Sequence, residues 1–351
     1  MTQSTQGVSP IASIKASFGR GFDQVILDNG VVRVVVSPDL GGKIVSLVRI
    51  ASGREYLISL PSNEDFRKPP FGGTFVEYNN VGFDECIPTI GACDYPEGTV
   101  GGLQLPDHGD VWSLPWQHEI RDSSVMLRVE GRSLPFIFRK HLQLQGATLH
   151  IEYEVRNTSD TRFHYIWSAH PLLATEPGTT ILLPLDSDEL LIDSSKGDRL
   201  GSKGESCKWP IATLKNGQTD DLRLMKTRSE ASDKLYTPRL SKGRCGLYHP
   251  SANESIVFKF DVESVPFVGL WICHGGSGPD NPKEPFTIAM EPCNGRPDSL
   301  REAMERGESS TLQPHETKQW TIEVELLEGR PNEGILANAL EVFCESPILG
   351  H

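Results

Sequence analysis

Four places along the chain collect polar side chains beside glycine, proline or tryptophan, and these positions could support chemistry. They hold Asp84 with Glu85, His108, His170 and Glu291. A histidine and a glutamate suit general acid–base catalysis near neutral pH. An ordinary imidazole, with a pKa of about 6.5, still holds some proton there, whereas an ordinary glutamate, with a pKa of about 4.3, is ionised. The residue types therefore predict an acid–base site.

A tryptophan lies on the predicted strand that precedes Glu291. Trp271 alternates with Gly269 and Cys273 on one face of the segment FVGLWIC, and these small neighbours would leave the indole open. The C–H face of a sugar ring could stack on such an indole. Trp271 is therefore a candidate for substrate binding.

Each candidate also has an ordinary structural interpretation. A histidine near a strand end is more often a core or surface residue than a catalyst, and a tryptophan on a strand is usually core. Asp84 and Glu85 would suit a solvated turn, and His108 could pair structurally with Asp107 or Asp110. No two candidates have a diagnostic spacing, so the residues alone indicate only a polar site on a β-sheet.

The elements that must position these groups are predicted to be strands. Apolar and polar residues alternate over 149–156 and over 286–291, which is the period of a half-buried strand. Helical patterns are confined to 298–307 and 332–344. No helix alternates with the strands, which disfavours a parallel α/β sheet. We expect an irregular arm over residues 1–25 and one large antiparallel β domain over 26–351.

Charge and hydropathy limit the partners. The formal net charge of −13 argues against nucleic acid and anionic membranes, because phosphate groups require a basic patch. No segment approaches the roughly 20 apolar residues that span a bilayer, and the first residues lack the apolar core of a secretory signal. A small-molecule ligand is the expected partner, and the oligomeric state is left open.

The cysteines indicate a reducing compartment. The 7 cysteines are scattered through the chain, which is typical of the reduced thiols of a cytoplasmic protein. No CxxC pair or Cys/His ladder suggests structural zinc, and no His/acid spacing suggests a catalytic metal. The sequence therefore predicts a site without metal or cofactor.

Seven segments, taken in order, resemble the aldose 1-epimerase (galactose mutarotase-like) family, from about residue 28 to about residue 326. They are VVVSPDLGGKIVSL, GFDECIPT, DHGDVW, FRKHLQL, SAHPLL, GLWIC and EPCNGRPDSL. The resemblance implies an all-β fold, a β-supersandwich of large antiparallel sheets with few short helices and a sugar site on a concave face. It also implies an isomerase that interconverts the α and β anomers of a sugar.

The resemblance assigns the two catalytic roles. The histidine of the family's HP pair falls on His170, and the glutamate at a strand end falls on Glu291. In the family the glutamate takes the proton of the C1 hydroxyl and the histidine gives a proton to the ring oxygen. The ring opens to the aldehyde, C1 turns, and the ring closes as the other anomer.

The resemblance also implies substrate contacts. The histidine of the HG pair falls on His108, and the branch with a GxDE motif places substrate-contacting residues at Asp84, Glu85 and Trp271. The chain departs from the galactose enzymes at two points. Their asparagine–arginine segment has only GGTFVEYNN at its place, and their substrate-binding aspartate has no clear match. Candidates for that aspartate are Asp220, Asp221 and Asp233. Arg139 and Arg296 are the basic residues nearest the candidate motifs.

Two other functions stay open at this stage. The same fold could serve a non-catalytic carbohydrate-binding protein. A glycoside hydrolase or lyase could use Asp84 or Glu85 together with Glu291, provided that the two carboxyl groups face each other at about 5–5.5 or 6.5–9.5 Å.

Overall fold

The computed structural model describes residues 12–78, 80–96, 101–184, 188–275 and 285–331, and within them β-strands dominate. The strands are β1 Ser13–Gly19, β2 Phe22–Asp28, β3 Val32–Ser37, β4 Lys43–Arg49, β5 Arg54–Glu55, β6 Phe83–Cys86, β7 Cys93–Asp94, β8 Gln104–Leu105, β9 Gln117–Arg121, β10 Ser124–Glu130, β11 Phe136–Gln145, β12 Thr148–Asn157, β13 Phe163–Tyr165, β14 Ser168–Ala174, β15 Thr180–Leu182, β16 Glu189–Ser195, β17 Ser206–Lys208, β18 Ile211–Thr213, β19 Thr219–Asp221, β20 Ser232–Tyr236, β21 Arg244–His249, β22 Glu254–Phe260, β23 Phe267–His274, β24 Phe286–Cys293, β25 Ser310–Leu312 and β26 Thr317–Glu328. Short helices are η1 Phe75–Glu77, η2 Val111–Ser113, η3 Lys196–Asp198 and α1 Leu300–Glu305.

Two large antiparallel sheets form the body of the protein. The 12-stranded sheet runs in the order β1-β2-β3-β4-β6-β14-β24-β23-β20-β16-β17, with β5 attached to β4. The 8-stranded sheet runs in the order β15-β21-β22-β26-β12-β11-β10-β9. The predicted all-β class with large antiparallel sheets and few short helices is confirmed.

The core lies between the two sheets. On β12 the predicted alternation holds, and Leu149, Ile151 and Val155 are fully buried. Ile288 and Met290 of β24 belong to the same apolar cluster, so the apolar faces of the two sheets meet. Burying each such side chain contributes roughly 1.5–3 kcal/mol. The residues that alternate with this core set on the 12-stranded sheet must therefore point to its other face.

That other face, called here the outer face, carries a row of polar residues across neighbouring strands. His170 of β14 is opposite Asp84 of β6, and Glu291 of β24 is opposite Gly269 of β23. The β14–β24 ladder pairs residue 168 with 293 and residue 172 with 289, which brings His170 beside Glu291. Antiparallel register thus gathers residues that lie far apart in the chain.

The N-terminal arm differs from the prediction. Residues 13–19 form β1, which pairs with β2 from Ser13↔Asp28 to Gly19↔Phe22. Arg20 and Gly21 both have positive φ, 52° and 82°, as a tight two-residue hairpin requires. β1 is an edge strand with mostly exposed or half-buried residues. Backbone hydrogen bonds rather than apolar burial hold β1 in place. Its side chains therefore carry only a weak apolar pattern from which to predict a strand.

The helix predictions have different outcomes. Helix α1 lies inside the predicted 298–307 segment, and the Ser299 hydroxyl accepts a hydrogen bond from the Glu302 amide, as a capping box requires. The helix predicted over 332–344 lies outside the described residues. None of the helices in the described ranges has the length and apolar character needed to cross a membrane.

Candidate active site

His170 and Glu291 meet on the outer face. Nε2 of His170 lies 3.9 Å from Oε1 of Glu291, and the two side chains are 4% and 0% exposed. Oε1 of Glu291 and Nδ1 of His170 have no hydrogen-bond partner within the described part of the chain. Buried polar atoms are nearly always paired, so this pair is suited to a polar ligand.

A buried lysine holds the other oxygen of Glu291. Nζ of Lys234 lies 2.5 Å from Oε2 of Glu291 and 3.3 Å from Oδ1 of Asp298. The hydroxyl of Tyr236 donates to the same Asp298 oxygen. Gly269 leaves room for the carboxylate, because a Cβ at that position would lie 3.2 Å from Oε2 of Glu291. The lysine therefore fixes the glutamate while leaving its Oε1 unpaired.

Lys234 and Asp298 were not among the site residues predicted from sequence. A signal for Lys234 was present, since a lysine alternates with Ser232 and Tyr236 on the same face of a short strand. A lysine at such a position is rarely buried without a partner. Asp298 lies in the quoted segment EPCNGRPDSL, but its closeness to Lys234 depends on the tertiary fold.

Burial and neighbouring charges perturb the titration of these groups. Burial raises the pKa of Glu291, and Lys234 opposes that rise. Burial also works to lower the pKa of Lys234, but the charges of Asp298 and Glu291 overcome it and raise that pKa. The pKa of His170 falls well below its usual value, through burial and then through the positive charges of His108, Lys234 and Lys43. His170 is therefore neutral near pH 7, contrary to the expectation of a partly protonated imidazole.

His108 joins the site from a loop. Its backbone has a positive φ of 58°, and its amide donates to the carbonyl of Ile90 at 2.6 Å. Its Nδ1 lies 2.8 Å from a carboxylate oxygen of Asp107. The ring stacks on Phe75 at 4.0 Å and meets the edge of His170 at 5.0 Å between centroids. The structure thus brings His108 to the site, and Phe75 is a further neighbour that the sequence analysis missed.

Asp84 also lies on the outer face. Its Oδ2 forms an ion pair of 2.8 Å with Nζ of Lys43, a residue that follows the quoted Gly41–Gly42 turn. Burial raises the pKa of Asp84, and Lys43 opposes that rise. Register places Asp84 directly opposite His170, beside the candidate catalytic pair. This position is consistent with the predicted substrate contact at Asp84.

Glu85 points the opposite way, into the core between the sheets. Its carboxylate lies 3.2 Å from Nζ of Lys140 and accepts hydrogen bonds from Tyr153 Oη at 3.0 Å and Trp167 Nε1 at 3.1 Å. The predicted substrate contact at Glu85 is therefore wrong. Adjacent residues of a strand point to opposite faces, so Asp84 and Glu85 cannot both face the site. A hydrolase that pairs Glu85 with Glu291 is excluded for the same reason.

Trp271 borders a cleft near the His170–Glu291 pair. Its indole is partly exposed and donates to Ser232 Oγ at 3.1 Å. The cleft has a volume of about 1130 Å³, and its described lining includes Trp271, Ser232 and Phe286 but neither His170 nor Glu291. Trp271 is opposite Ala289, two residues from Glu291, a spacing of about 7 Å along a strand. Trp271, at the edge of the cleft, therefore lies one two-residue strand repeat away from Glu291.

The remaining polar candidates serve structural ion pairs. Asp233 lies on the core side of β20 and accepts from Nε of Arg199 at 3.0 Å, and Asp220 also pairs with Arg199. The other pairs are Asp221 with Arg223, Arg139 with Glu154, and Arg296 with Glu308. None of these five candidates contacts His170 or Glu291 through a hydrogen bond or ion pair in the described residues. Donor atoms that could hold a metal ion converge only from Cys86, His108 and His170 among the described residues.

The chain matches known proteins by structure but not by sequence. No protein-family profile matches the chain, and no curated protein matches it by sequence. A galactose mutarotase-like protein from Clostridium acetobutylicum superposes with a TM-score of 0.66 over 90% of this chain and 99% of its own, at 15% identity. The chain has the galactose mutarotase-like fold.

Two further solved structures also superpose on the chain. The Slr1438 protein of Synechocystis sp. PCC 6803 has a TM-score of 0.63 and 18% identity, over 93% of this chain and 99% of its own. An Escherichia coli K12 protein with a provisional name of aldose 1-epimerase has a TM-score of 0.63 and 16% identity, over 90% of this chain and 99% of its own. At these identities the mutarotase-like likeness establishes the fold, and the chemistry has to be argued from the site.

Proposed function

We propose that the protein is an aldose 1-epimerase, an isomerase that interconverts the α and β anomers of a sugar, with Glu291 as base and His170 as acid. The observation that carries the proposal is the buried pair itself, 3.9 Å apart, with an unpartnered polar atom on each side chain. The two oxygens that must exchange protons, O1 and O5, are bonded to the same carbon. Acid and base must therefore lie close together, as these two side chains do.

The reaction divides into ring opening and its reverse. Oε1 of Glu291 takes the proton of the O1 hydroxyl, and the O–H electron pair becomes the second bond of the C1 carbonyl. The C1–O5 bond breaks, its electron pair goes to O5, and O5 takes a proton from His170. Rotation about the C1–C2 bond presents the other carbonyl face, and the reverse transfers close the ring. Lys234 keeps the glutamate oriented through its 2.5 Å contact with Oε2.

The perturbed pKa values set the expected pH dependence. The productive form has Glu291 ionised and His170 protonated at once. As the pH falls Glu291 takes up a proton and the base is lost, and as the pH rises His170 loses its proton and the acid is lost. Burial raises the pKa of Glu291 and lowers that of His170. We expect a bell-shaped rate profile with its maximum between the two pKa values, and a minority of productive molecules at neutral pH.

The surroundings of the pair support a sugar as the ligand. His108 and Asp84 offer polar contacts beside His170, and the Trp271 indole offers a stacking surface at the edge of the cleft. The proposal includes the cytoplasm as the location, because the six described cysteines are all free thiols and a reducing compartment keeps thiols free.

Anomer exchange measured by NMR over a panel of aldoses tests the proposal. The protein should accelerate exchange of at least one sugar above its spontaneous rate, and His170→Gln should reduce the acceleration by roughly 10²–10⁴-fold. A matched control is His249→Gln, because His249 is also a buried histidine but lies on β21 of the other sheet. Tight sugar binding without any exchange would replace the epimerase with the carbohydrate-binding alternative, and unaltered exchange in His170→Gln would remove the assigned acid.

A further inference from the structure

We propose that Cys86, His108 and His170 form a binding site for one divalent cation of borderline softness, such as Zn²⁺. The binding site follows from the donor atoms and does not depend on any enzymatic activity. Its effect on catalysis rests on the proposed epimerase function, because His170 is shared.

The donor atoms are close enough to share a cation. One ligand atom from each of the three residues lies within 4.8 Å of the other two. Tetrahedral zinc with Zn–N of about 2.0–2.1 Å and Zn–S of about 2.3 Å places its ligands roughly 3.4–3.6 Å apart. A movement of about 1 Å by the side chains would therefore complete the geometry, and rotation about side-chain torsions supplies it.

The backbone holds the three donors in place from different elements. Cys86 and His170 project from the outer faces of β6 and β14, which are paired strands. The loop that carries His108 is attached to the end of β6 by a bridge between Ile87 and Gly109. A Cβ on Gly109 would lie 2.2 Å from the carbonyl oxygen of Ile87, so glycine permits this close approach. The convergence is thus a property of the folded chain.

His108 already has the partner that a metal-binding histidine requires. Its Nδ1 is hydrogen-bonded to Asp107 at 2.8 Å, and the other oxygen of Asp107 accepts the Phe75 amide at 2.8 Å. This leaves Nε2 of His108 for a metal. Metal-binding histidines almost always bond their second ring nitrogen to a carboxylate, a carbonyl or water, which fixes the tautomer and the ring orientation. Asp107 would therefore act as an orienting residue behind the ligand.

His170 provides a second, independent indication of a ligand. The side chain is 4% exposed, and its Nδ1 has no partner among the residues that the structure describes. A buried polar atom without a partner costs roughly 1–3 kcal/mol. Coordination of a cation through Nδ1 would remove this cost.

The donor set selects the kind of cation. Two imidazoles and a thiolate suit Zn²⁺ and Co²⁺, whereas Mg²⁺ and Ca²⁺ prefer oxygen ligands. Cys86 binds as the thiolate, so its proton passes to solvent when the metal binds. Three protein ligands leave a fourth position for water or a ligand oxygen, which is the pattern of an open zinc site. The two nearby lysines are already paired with carboxylates, Lys43 with Asp84 and Lys234 with Glu291.

Metal binding would change the proposed reaction. A metal on Nδ1 of His170 replaces one of the two protons of the imidazolium, so the ring can no longer act as the acid that gives a proton to O5. Zn²⁺ would therefore inhibit anomer exchange at about one equivalent per chain, and a chelator would restore the rate.

Titration of the metal-free full-length chain with Zn²⁺ and Co²⁺ tests the site. Calorimetry should give one Zn²⁺ per chain, and Co²⁺ should produce a near-ultraviolet charge-transfer band from thiolate ligation. Cys86→Ser should abolish that band, and His108→Gln should weaken Zn²⁺ binding at least 100-fold. Asp107→Asn should weaken it by about 10–100-fold. Cys245→Ser is the matched control, since Cys245 is a buried thiol on β21 of the other sheet, and it should bind as the unaltered chain does.

The outcomes separate this site from the enzymatic proposal. The site would be overturned, whatever the activity, if the chain did not bind one equivalent of Zn²⁺. It would also be overturned if Cys86→Ser and His108→Gln bound Zn²⁺ as tightly as the unaltered chain. If Zn²⁺ binds as expected but no sugar shows anomer exchange, the site stands and the epimerase proposal fails. His108→Gln lies on a loop, so it tests the site even if Cys86→Ser, on a buried strand, does not fold.

Discussion

Two lysine–glutamate pairs lie on opposite faces of the same sheet. Glu85 pairs with Lys140 in the core between the sheets, and Glu291 pairs with Lys234 on the outer face. Both carboxylates are fully buried, and burial raises the pKa of both, that of Glu85 to about 7. In composition and burial the two pairs are alike.

They differ in how completely the carboxylate is satisfied. Both oxygens of Glu85 accept hydrogen bonds, one from Lys140 and Tyr153 and the other from Trp167. Within the described structure Glu291 keeps Oε1 without a hydrogen-bond partner, 3.9 Å from Nε2 of His170. A fully paired buried charge contributes to a specific fold, whereas an incompletely paired one leaves bonding capacity for a ligand. Glu85 therefore has a structural role, and the unpaired oxygen of Glu291 supports the chemical role proposed for it.

The largest expected effect concerns the reaction. Glu291→Gln should slow anomer exchange by roughly 10²–10⁴-fold, because the amide cannot accept the O1 proton. Glu85→Gln should leave the rate per folded molecule within about tenfold, since Glu85 does not face the site. NMR exchange rates normalised to folded protein check both. A similar loss of exchange rate in the two variants would contradict the assignment of the reaction to the outer face and of a structural role to the core face.

The next effect concerns stability. Lys140→Met leaves Glu85 buried without its cation and should lower the free energy of unfolding by about 3–5 kcal/mol. Glu291→Gln should lower it by less, because Lys234 keeps Asp298 as a second carboxylate partner at 3.3 Å. Urea unfolding followed by fluorescence measures both values. Equal destabilisation by the two variants would contradict the distinction.

The pH dependence of the unfolding free energy should reveal the contribution of Glu85. Its folded-state pKa of about 7 lies above the ordinary value of 4.5, so the folded chain keeps a proton that the unfolded chain loses. The contribution of Glu85 is fully present below pH 4.5 and is lost as the pH rises to about 7, by about 3 kcal/mol in all. The difference in unfolding free energy between the unaltered chain and Glu85→Gln should follow this curve. A flat difference between pH 4.5 and 7 would disprove it.

The smallest effect concerns the edge of the outer face. Trp271→Ala should raise the KM for the preferred sugar by about 5–30-fold, since stacking on an indole contributes roughly 1–2 kcal/mol. The value of kcat should change by less than about threefold, because Trp271 lies one strand repeat from Glu291. Steady-state exchange kinetics separate the two constants. A fall in kcat with an unchanged KM would place Trp271 in the chemistry instead.

Several features were predictable because they depend on local sequence. Alternation over 149–156 and 286–291 predicted strands that the structure contains as β12 and β24, and the capping box predicted helix α1. Ordered motifs led to the mutarotase-like fold and to His170 and Glu291 as neighbours. The edge strand β1 was missed because its backbone pairing leaves little apolar pattern in its side chains.

The sequence by itself determined that strands dominate, in which order they come, and which side chains share a face within each strand. The sequence did not decide which face of each strand meets the other sheet. Asp84 and Glu85 were therefore both expected at the site, although they point to opposite faces of β6. Tertiary packing made that choice, and antiparallel register then brought Lys234, Asp298 and His170 to Glu291 from distant segments. The physical reason is that a period of two fixes alternation within a strand, whereas long-range burial and pairing fix which side is core and which residues become neighbours.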